Sequence, residues 1–299
     1  MRVADVVSTR RTRGHTRRMV RTPCEGNKLS GDPGSGSTTL ADARRALGAY
    51  LRHLRQRATP SAEQRRARRR RAVGLRREEV AHDADISVTW YTWLEQGRPA
   101  RVSDDTLRAI GRALRLSPTE FEHLRGLAAA AVSAGTPWPP TTTASSSLQA
   151  LVNAMGPHAA YAINERWDLL VWNDAATALL GDFRRSPGIT DNVLRRVFLD
   201  PAWRHLLAEW DQVAASVTAQ FRVHTAHRVG HPAWRQFVDD LLAQSDAFRT
   251  CWQHHDVAPS ETRRKLLRDA HGVSTSYLYT ALAPDGEPDD VRVIVYLPG

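Results

Sequence analysis

The chain has 299 residues, of which 41% are hydrophobic and 25% charged, and its formal net charge is +10. That length suffices for about two domains with a core each. No apolar run approaches the roughly 18 residues of a membrane span, and the basic N-terminus lacks the apolar stretch of a signal peptide. The two cysteines, Cys24 and Cys251, lie far apart in unlike contexts, which argues against a disulfide framework or a zinc site. We therefore expect a cytoplasmic protein without a membrane partner.

Charge is distributed unevenly along the chain. Residues 1–147 contain 27 Lys and Arg against 14 Asp and Glu, whereas residues 148–299 contain 15 against 18. A strongly basic region is suited to a polyanion such as DNA, and a slightly acidic one is not. The two halves are therefore expected to have different partners.

The first half reads as a tail, a helical domain and a linker. Residues 1–39 contain the run SGDPGSGST and little apolar periodicity, which predicts a disordered basic tail, either a DNA-contacting arm or an incidental extension. Helical periodicity begins at Ala41, within ADARRALGAYLRHLRQR. The run SAEQRRARRRRAVGL is too charged for burial and predicts a loop, and four short helical segments follow it. Residues 136–147, rich in Pro, Ser and Thr, predict a linker, so the first domain spans 40–135.

Residues 77–96 match the spacing of a helix-turn-helix unit. Ala81 is small where the two helices must approach closely. Asp85 stands at the turn, where a positive φ makes glycine usual and aspartate tolerable. Ser87 is the predicted N-cap of the second helix, as Ser103 and Ser117 are of the next two. The predicted interior positions are Val80, Ala84, Ile86, Tyr91 and Leu94.

A helical projection gives the second helix of this unit an outward face. The N-terminal part of such a helix meets base edges in the major groove, so Val88 and Thr89 are expected at thymine methyls or base edges. Gln96 and Arg98 are expected at phosphates, and Trp93 against the groove wall. The alternative is a helical bundle without a role in DNA binding. The candidate DNA-binding residues are Arg76, Arg77, Ser87, Val88, Thr89, Thr92, Trp93, Gln96 and Arg98, with Arg76 and Arg77 also at phosphates.

The segment GLRREEVAHDADISVTWYTWLEQGRPARVSDDTLRAIGRALRLSP resembles the DNA-binding domain of XRE-type helix-turn-helix regulators, and in particular their MmyB-like branch. The resemblance covers about residues 40–131. Asp83, where leucine is commoner, and Asp85, in place of glycine, depart from the pattern; Asp83 is expected to face solvent. The resemblance implies a transcription regulator that binds double-stranded DNA. By analogy, a homodimer would read a pseudo-palindromic operator with half-sites about one helical turn apart.

The second half, residues 148–299, combines strands and helices. YAIN and LLVWN flank the polar ERWD, which predicts a hairpin, and a helix is predicted from Asp174 to Leu180. The longest predicted helix starts at Asp200-Pro201 and continues through Phe221, and shorter helices are predicted near 232–243 and 246–254. STSYLYTAL and VRVIVYL predict two closing strands. The predicted fold class is mostly α, with an all-α helix-turn-helix bundle followed by an α+β domain with an antiparallel sheet.

The segments AYAINERWDLLVWNDAATALLGDF, NVLRRVFLDPAWRHLLAEWDQVA and LLAQSDAFRTCWQHHDV resemble the MmyB-like ligand-binding domain. This implies a PAS-like fold over residues 148–299, with a five-stranded antiparallel sheet and helices around a mainly apolar cavity. The implied ligand is a fatty acid or a similar hydrophobic molecule. In the family an arginine commonly precedes the residue matched by Asn192, whereas this chain has Asp191. If that arginine holds a carboxylate, this protein is expected to prefer a neutral or different ligand, unless Arg195 and Arg196 compensate.

Composition also fits a binding pocket. Seven of the nine tryptophans and five of the six phenylalanines lie beyond residue 137, and binding sites are typically apolar and aromatic. The alternative is that these rings form an ordinary core, which is the commoner role of a single tryptophan. Asn173 either caps the helix that follows it or faces the cavity. The candidate ligand-binding residues are Trp172, Asn173, Phe183, Asn192, Arg195, Phe198, Trp210, Phe221 and Trp252.

Catalytic and metal-binding patterns are weak. The adjacent polar residues 254–256 cannot converge on one metal from a helix. The spacings of His224, His227 and His231 would allow them to bind one metal ion, but these residues lie in a polar segment that predicts a solvated loop. The sequence contains no glycine-rich phosphate loop, nucleophile elbow or HExxH motif, and Cys251 is expected to be a core thiol. No enzymatic activity, metal or cofactor is therefore predicted.

Three hypotheses remain for the function. The first is a regulator whose C-terminal domain senses a hydrophobic small molecule such as a fatty acid. The second is a ligand-independent regulator whose PAS-like half serves dimerisation or protein interaction. The third is an enzyme fused to a DNA-binding domain.

Overall fold

A computed structural model describes most of the chain from Pro33 onward, where the contacts form one compact unit. Within the described part, no helix has the length and apolar character needed to cross a membrane. Most of the predicted tail, the arginine-rich loop, much of the linker and Asp191 lie outside the described residues. The structure describes residues 33–61, 74–99, 101–132, 138, 143–183, 192–258 and 263–299.

The first half is a helical bundle, as predicted. Helix α1 begins at Pro33 rather than at Ala41, so the end of the predicted tail is helical. Proline is favoured in the first helical position, and lengthening a helix costs less than starting one. The helices are α1 (Pro33–Arg57), α2 (Arg77–Asp83), α3 (Val88–Glu95), α4 (Asp104–Ala113) and α5 (Pro118–Ala130).

Local signals set the boundaries of these helices. Ser87, Ser103 and Ser117 each cap the following helix through the side-chain oxygen, and Glu120 completes a capping box at α5. Asp85 has a φ of 53°, the left-handed conformation predicted for the turn between α2 and α3. The predicted caps and turn are therefore confirmed.

The bundle closes around the predicted interior positions. Four of these are buried, and Ile86 is half-buried. Helices α1 and α3 touch through their backbones, because a Cβ added at Gly48 would lie 2.5 Å from the carbonyl oxygen of Glu95. This close crossing places α3 on the bundle with its other face toward solvent.

The second half is α+β, with a five-stranded sheet in the order β2-β1-β5-β4-β3, and every neighbouring pair is antiparallel. The predicted hairpin and closing strands are confirmed; β3, with the sequence RRKLLR, has no alternating pattern and was not predicted. The strands are β1 (Ala159–Ile163), β2 (Leu169–Trp172), β3 (Arg263–Arg268), β4 (Ser274–Leu282) and β5 (Arg292–Pro298). The helices are α6 (Ser146–Ala154), α7 (Asp174–Leu180), α8 (Val193–Leu199), α9 (Pro201–Leu206), α10 (Trp210–His224), α11 (Pro232–Gln244) and α12 (Asp246–Gln253), with a 3-10 turn at Ala226–Arg228.

The prediction of a single long helix from Asp200 is wrong, because the chain forms two helices there, α9 and α10. Leu207 forms an isolated β-bridge with Leu267, and the amide of Ala208 donates to the carbonyl of Leu266 at 3.0 Å. Pairing with β3 removes these residues from the helix. The apolar spacing on both sides gives no sign of the break.

The sheet is covered on both faces. Helix α6 packs Leu148 and Val152 on one face, against Ala160 and Ala162 of β1. The alternate β1 residues, among them Tyr161, belong to a larger core under α7 to α12. This burial on both sides explains why β1 is apolar throughout.

The two halves pack against each other at a seam. Ala226 belongs to the core of the helical bundle, and a Cβ added at Gly126 of α5 would lie 2.7 Å from the Ala226 Cβ. Arg235 of α11 forms an ion pair with Asp42 of α1. Trp138, in the predicted linker, is buried in the core of the second half. The described part of the linker therefore belongs to the second half.

Candidate DNA-binding surface and ligand cavity

The outward face of α3 carries most of the candidate DNA-binding side chains. Val88 and Trp93 are 38% and 41% exposed, unusual values for large apolar residues. Thr89 and Gln96 are also exposed, whereas Thr92 is half-buried. These residues share one face of α3, which starts at the end capped by Ser87.

Arg98 extends the surface beyond the end of α3. Its guanidinium carbon lies 5.7 Å from the centroid of the Trp93 ring, within the range of a cation–π contact. This contact holds the arginine beside the ring at the edge of the α3 face. An arginine fixed in this way is suited to a phosphate next to the groove.

A buried carboxylate anchors α3 from behind. Glu95 accepts hydrogen bonds from Arg55 Nε at 2.5 Å and from Arg77 Nε at 2.7 Å. Burial alone would raise the pKa of Glu95, but the two arginines outweigh it and hold that pKa below its usual range. Arg77 therefore joins α2 to α3, a structural role that the sequence prediction of a phosphate contact did not include.

The start of α2 is stabilised in the same region. The amide of Arg76 donates to Glu79 Oε2 at 2.7 Å, which fixes the first turn. Ser87 uses its hydroxyl oxygen to accept from the amide of Trp90 at 3.5 Å. Both residues thus orient the helix-turn-helix unit, whatever their contacts with DNA.

A cavity lies in the second half, between the sheet and helices α8, α9 and α10. The cavity has a volume of only about 10 Å³. That is roughly the room for one water, well below the ~300 Å³ of a small-molecule pocket. Its walls are apolar, with Trp167, Val197, Trp203 and Val217 among them. A ligand would have to spread these walls.

A few polar groups meet at the sheet side of this cavity. Tyr161, Tyr279 and Tyr296 line it, and burial raises the pKa of Tyr279 to about 12. Lys265 lies with its Nζ 3.5 Å from Tyr296 Oη and 3.8 Å from the Tyr279 ring centroid. The cavity is thus an apolar space with one ammonium group and phenol hydroxyls at its wall.

The structure places none of the nine candidate ligand-binding residues in the wall of this cavity. Asn173 caps α7, accepting from the amides of Ala160 and Ala176 and donating to the carbonyls of Val152 and His158. Of the two roles considered for this residue, the cap is the one observed.

Asn192 is another buried cap. Its side chain accepts from the amide of Arg195 at 3.1 Å and donates to Asp168 Oδ1 at 3.0 Å. Arg195 in turn pairs with Asp240 at 3.3 Å and lies 5.3 Å from the Phe237 ring centroid. Asn192 and Arg195 use their polar atoms for these contacts within the fold. The geometry therefore does not support their predicted role in ligand binding.

The aromatic candidates pack into the core instead. Phe183 and Phe221 are buried, and Trp210 donates from Nε1 to the carbonyl of Val197 at 2.8 Å. Phe198 packs against Phe248, with ring centroids 5.1 Å apart. Trp172 contacts Phe183 with ring centroids 5.2 Å apart, and Trp252 is stacked on Phe248.

The histidine segment is not the solvated loop that its polarity predicted. His224 ends α10 beside Trp167, and burial lowers the pKa of His224 to about 4. His227 contacts Glu165 at 2.8 Å. Within the described residues no group of His, Cys, Asp or Glu is arranged to hold a metal ion. Cys251 is half-buried, and burial raises the pKa of its thiol.

Lys265 and the three tyrosines of the cavity are not predicted from the sequence. They come from β1, β3, β4 and β5, and only the sheet order brings them together. Lys265 is the one lysine of residues 148–299, and this compositional signal could have drawn attention to it.

Comparison with known families agrees with both regions. Residues 46–124 match the family profile of a helix-turn-helix domain, and residues 144–299 match that of the MmyB-like transcription regulator ligand binding domain. No curated protein was found to match the chain. These findings define the class: a DNA-binding transcription regulator with a C-terminal ligand-binding domain. Because the second profile covers more than half of the chain, the chain belongs to the MmyB-like transcription regulators.

Proposed function

We propose that this chain is a cytoplasmic XRE-type regulator that binds a pseudo-palindromic operator as a homodimer. We further propose that a hydrophobic small molecule, such as a fatty acid, binds the cavity between the sheet and α8 to α10. The observation that supports the DNA contact is the exposed α3 face with Trp93 and Arg98 at its edge. The observation that supports the ligand is the apolar cavity with Lys265 at its wall.

The α3 face suits groove binding because its side chains divide into two kinds. Val88 and Thr89 lie at the N-terminal end of the helix, the part that enters the major groove in such units. Their methyl groups can contact thymine, and the Thr89 hydroxyl can contact a base edge. Trp93 follows about one turn after Thr89, and Arg98 lies beyond the C-terminal end of the helix, where the DNA backbone would pass.

The DNA contact is tested by fluorescence anisotropy with operator and scrambled duplexes. Replacing Thr89 and Trp93 with alanine should reduce operator affinity by at least about 100-fold, since a base contact contributes ~1–3 kcal/mol and the second site adds to it. Arg249→Ala, in an exposed side chain of the other half, is the matched control and should bind as the wild type does. Equal wild-type affinity for both duplexes would exclude sequence-specific binding.

The proposed ligand follows from the chemistry of the cavity wall. Apolar side chains favour an alkyl chain, and an ammonium group beside phenol hydroxyls favours an acceptor with negative charge. A fatty acid has both parts. Because the cavity is nearly closed, binding requires the helices to move from the sheet, and a ligand shifts the protein only toward the state that it binds better.

Native mass spectrometry of the full chain with palmitate tests this site. Val217→Trp should abolish palmitate binding by filling the cavity, whereas Ala215→Trp, exposed on the same helix, should not. Lys265→Met should weaken palmitate binding and leave hexadecanol binding unchanged. Palmitate binding that survives Val217→Trp would refute the site, and a chain that binds neither amphiphile would favour the ligand-independent alternative.

A further inference from the structure

A second cavity lies at the seam between the two halves. It measures about 270 Å³, with walls from α1 and α5 of the DNA-binding domain and from α10, α11 and α12 of the ligand-binding domain. Apolar side chains line one part of it, among them Leu127, Val238 and Leu242. This cavity is separate from the one under the sheet, and no lining residue is shared between them.

The walls of this seam cavity contain an unusual group of buried polar atoms. Four buried side-chain atoms have no hydrogen-bond partner within the described protein: Tyr50 Oη, His123 Nδ1, Arg222 Nε and Trp234 Nε1. Their side chains are between 2% and 7% exposed. Buried polar groups are nearly always paired, so four such atoms around one cavity require an explanation.

These residues form a contiguous cluster. The Tyr50 and His123 rings meet edge to face with centroids 4.6 Å apart, and the His123 ring hydrogen-bonds to the backbone of Arg222. The Arg222 guanidinium carbon lies 4.0 Å from the centroid of Trp252, and Trp234 lies 6.0 Å from the same ring. The cluster thus joins both halves of the chain.

Arg222 gives the cluster a positive charge. Its Nη2 donates to the carbonyl of Trp252 at 2.5 Å, but no carboxylate of the described residues forms an ion pair with it. Burial, followed by the charge of Arg222, lowers the pKa of His123 to about 3, so that imidazole is neutral at pH 7. Arg222 Nε and Trp234 Nε1 can only donate hydrogen bonds, and the Tyr50 hydroxyl can donate as well. The wall also includes Asp42, which is paired with Arg235, and Asp239, which is exposed. Because Arg222 is buried and these carboxylates are either paired or exposed, the cluster around it is suited to an acceptor with negative charge.

We propose that the seam cavity binds a small amphipathic carboxylic acid, whose carboxylate accepts hydrogen bonds from Tyr50, Arg222 and Trp234. The apolar part of the acid lies against Leu127, Val238 and Leu242. Because the polar atoms are screened within the wall, the acid reaches them after a rotation of half-buried rim side chains. The bound acid touches both domains, so it stabilises one arrangement of the DNA-binding domain relative to the other half.

Calorimetric titration of the full chain with phenylacetate, and with the neutral phenylacetamide, tests this site. Phenylacetate should bind saturably, and the amide at least about tenfold more weakly, as expected for the loss of charge-assisted hydrogen bonds. Ala49→Leu, which fills the cavity from α1, should abolish phenylacetate binding. Ala243→Leu, exposed on α11, is the matched control and should leave it unchanged.

Tyr50→Phe adds a test that does not perturb packing. The variant removes a hydroxyl without a partner, so the melting temperature should stay at the wild-type value while phenylacetate affinity falls about tenfold. The proposal is overturned if phenylacetate does not bind at millimolar concentration, if acid and amide bind alike, or if Ala49→Leu binds as the wild type does. Phenylacetate binding that is lost in Val217→Trp but kept in Ala49→Leu would place the acid under the sheet. That result would overturn the seam site and leave the proposed sensor function standing.

Discussion

Two buried charges show how differently the two regions of this molecule use polar groups. Glu95, behind α3, meets a guanidinium on each side and has its oxygens satisfied. Arg222, at the seam, meets a carbonyl and an aromatic face, keeps Nε without a partner, and has its pKa lowered to about 10 by burial. The first arrangement fixes the DNA-binding helix. The second leaves hydrogen-bonding capacity that the fold itself does not use.

Removing Glu95 should have the largest effect on stability. Glu95→Ala removes the shared carboxylate acceptor of Arg55 and Arg77, and breaking a fully buried pair from one side typically costs about 3–5 kcal/mol. Because the Arg77 side chain is 38% exposed, we expect the lower end of that range. Urea denaturation should show a loss of that order. The control is Asp104→Ala, which removes an exposed i,i+4 partner of Arg108 and should cost about 0.5 kcal/mol or less. Similar losses of stability in both variants would show that the ion pairs of Glu95 do not stabilise the bundle.

The second-largest loss of stability is expected in the second half of the chain, at Asn173, a neutral residue whose side chain is fully hydrogen-bonded. Asn173→Ala removes a side chain that makes four hydrogen bonds in a buried site. Leaving several backbone groups unpaired is expected to cost about 3 kcal/mol. Asn153→Ala, an exposed change on α6, should cost about 0.5 kcal/mol or less in the same urea titration. A small loss for Asn173→Ala would mean that water replaces the amide.

The helix caps and the contacts between remote segments show how much of the structure the sequence could predict. The caps and the Asp85 turn are local, because a side chain and its partner lie within a few residues, and they were predicted correctly. Asn173 was left open between cap and cavity, because its partners on α6 and β1 are distant in sequence. The break at Leu207 and the Arg222 cluster depend on contacts between remote segments, which no periodicity in the chain reveals.

As the pH falls, the seam should lose stability before the ion pairs of Glu95 do. His123 has its pKa lowered to about 3 in the fold, so between that value and ~6.5 the unfolded chain binds a proton that the folded one does not. Stability is therefore full above pH 6.5 and falls as the pH drops, by about 2 kcal/mol from this group between pH 7 and 5. Glu95, with a lowered pKa, contributes a loss only below the ordinary range of a carboxyl group. Urea midpoints at both pH values measure the difference.

The variant that isolates this effect is His123→Phe. It should reduce the pH dependence of the free energy of unfolding between pH 7 and 5. Part of that dependence should remain, because the pKa of His224 is also lowered, to about 4. His254→Phe, in an exposed position, should keep the wild-type slope. An unchanged slope in His123→Phe would mean that the imidazole is solvated in the folded state.

The smallest effect on stability is expected for Tyr50→Phe. Its hydroxyl is buried without a partner, so its removal should change the free energy of unfolding by less than about 0.5 kcal/mol, or raise it slightly, because an unmet desolvation cost disappears. Thr218→Val removes a buried hydroxyl that does have an acceptor, the carbonyl of Ala214 at 2.8 Å, and should cost about 1 kcal/mol. If Tyr50→Phe costs as much as Thr218→Val, the Tyr50 hydroxyl has a partner, and the seam cavity loses one of its donors. If it costs nothing, the fold does not require the Tyr50 hydroxyl, and that hydroxyl is available to a ligand.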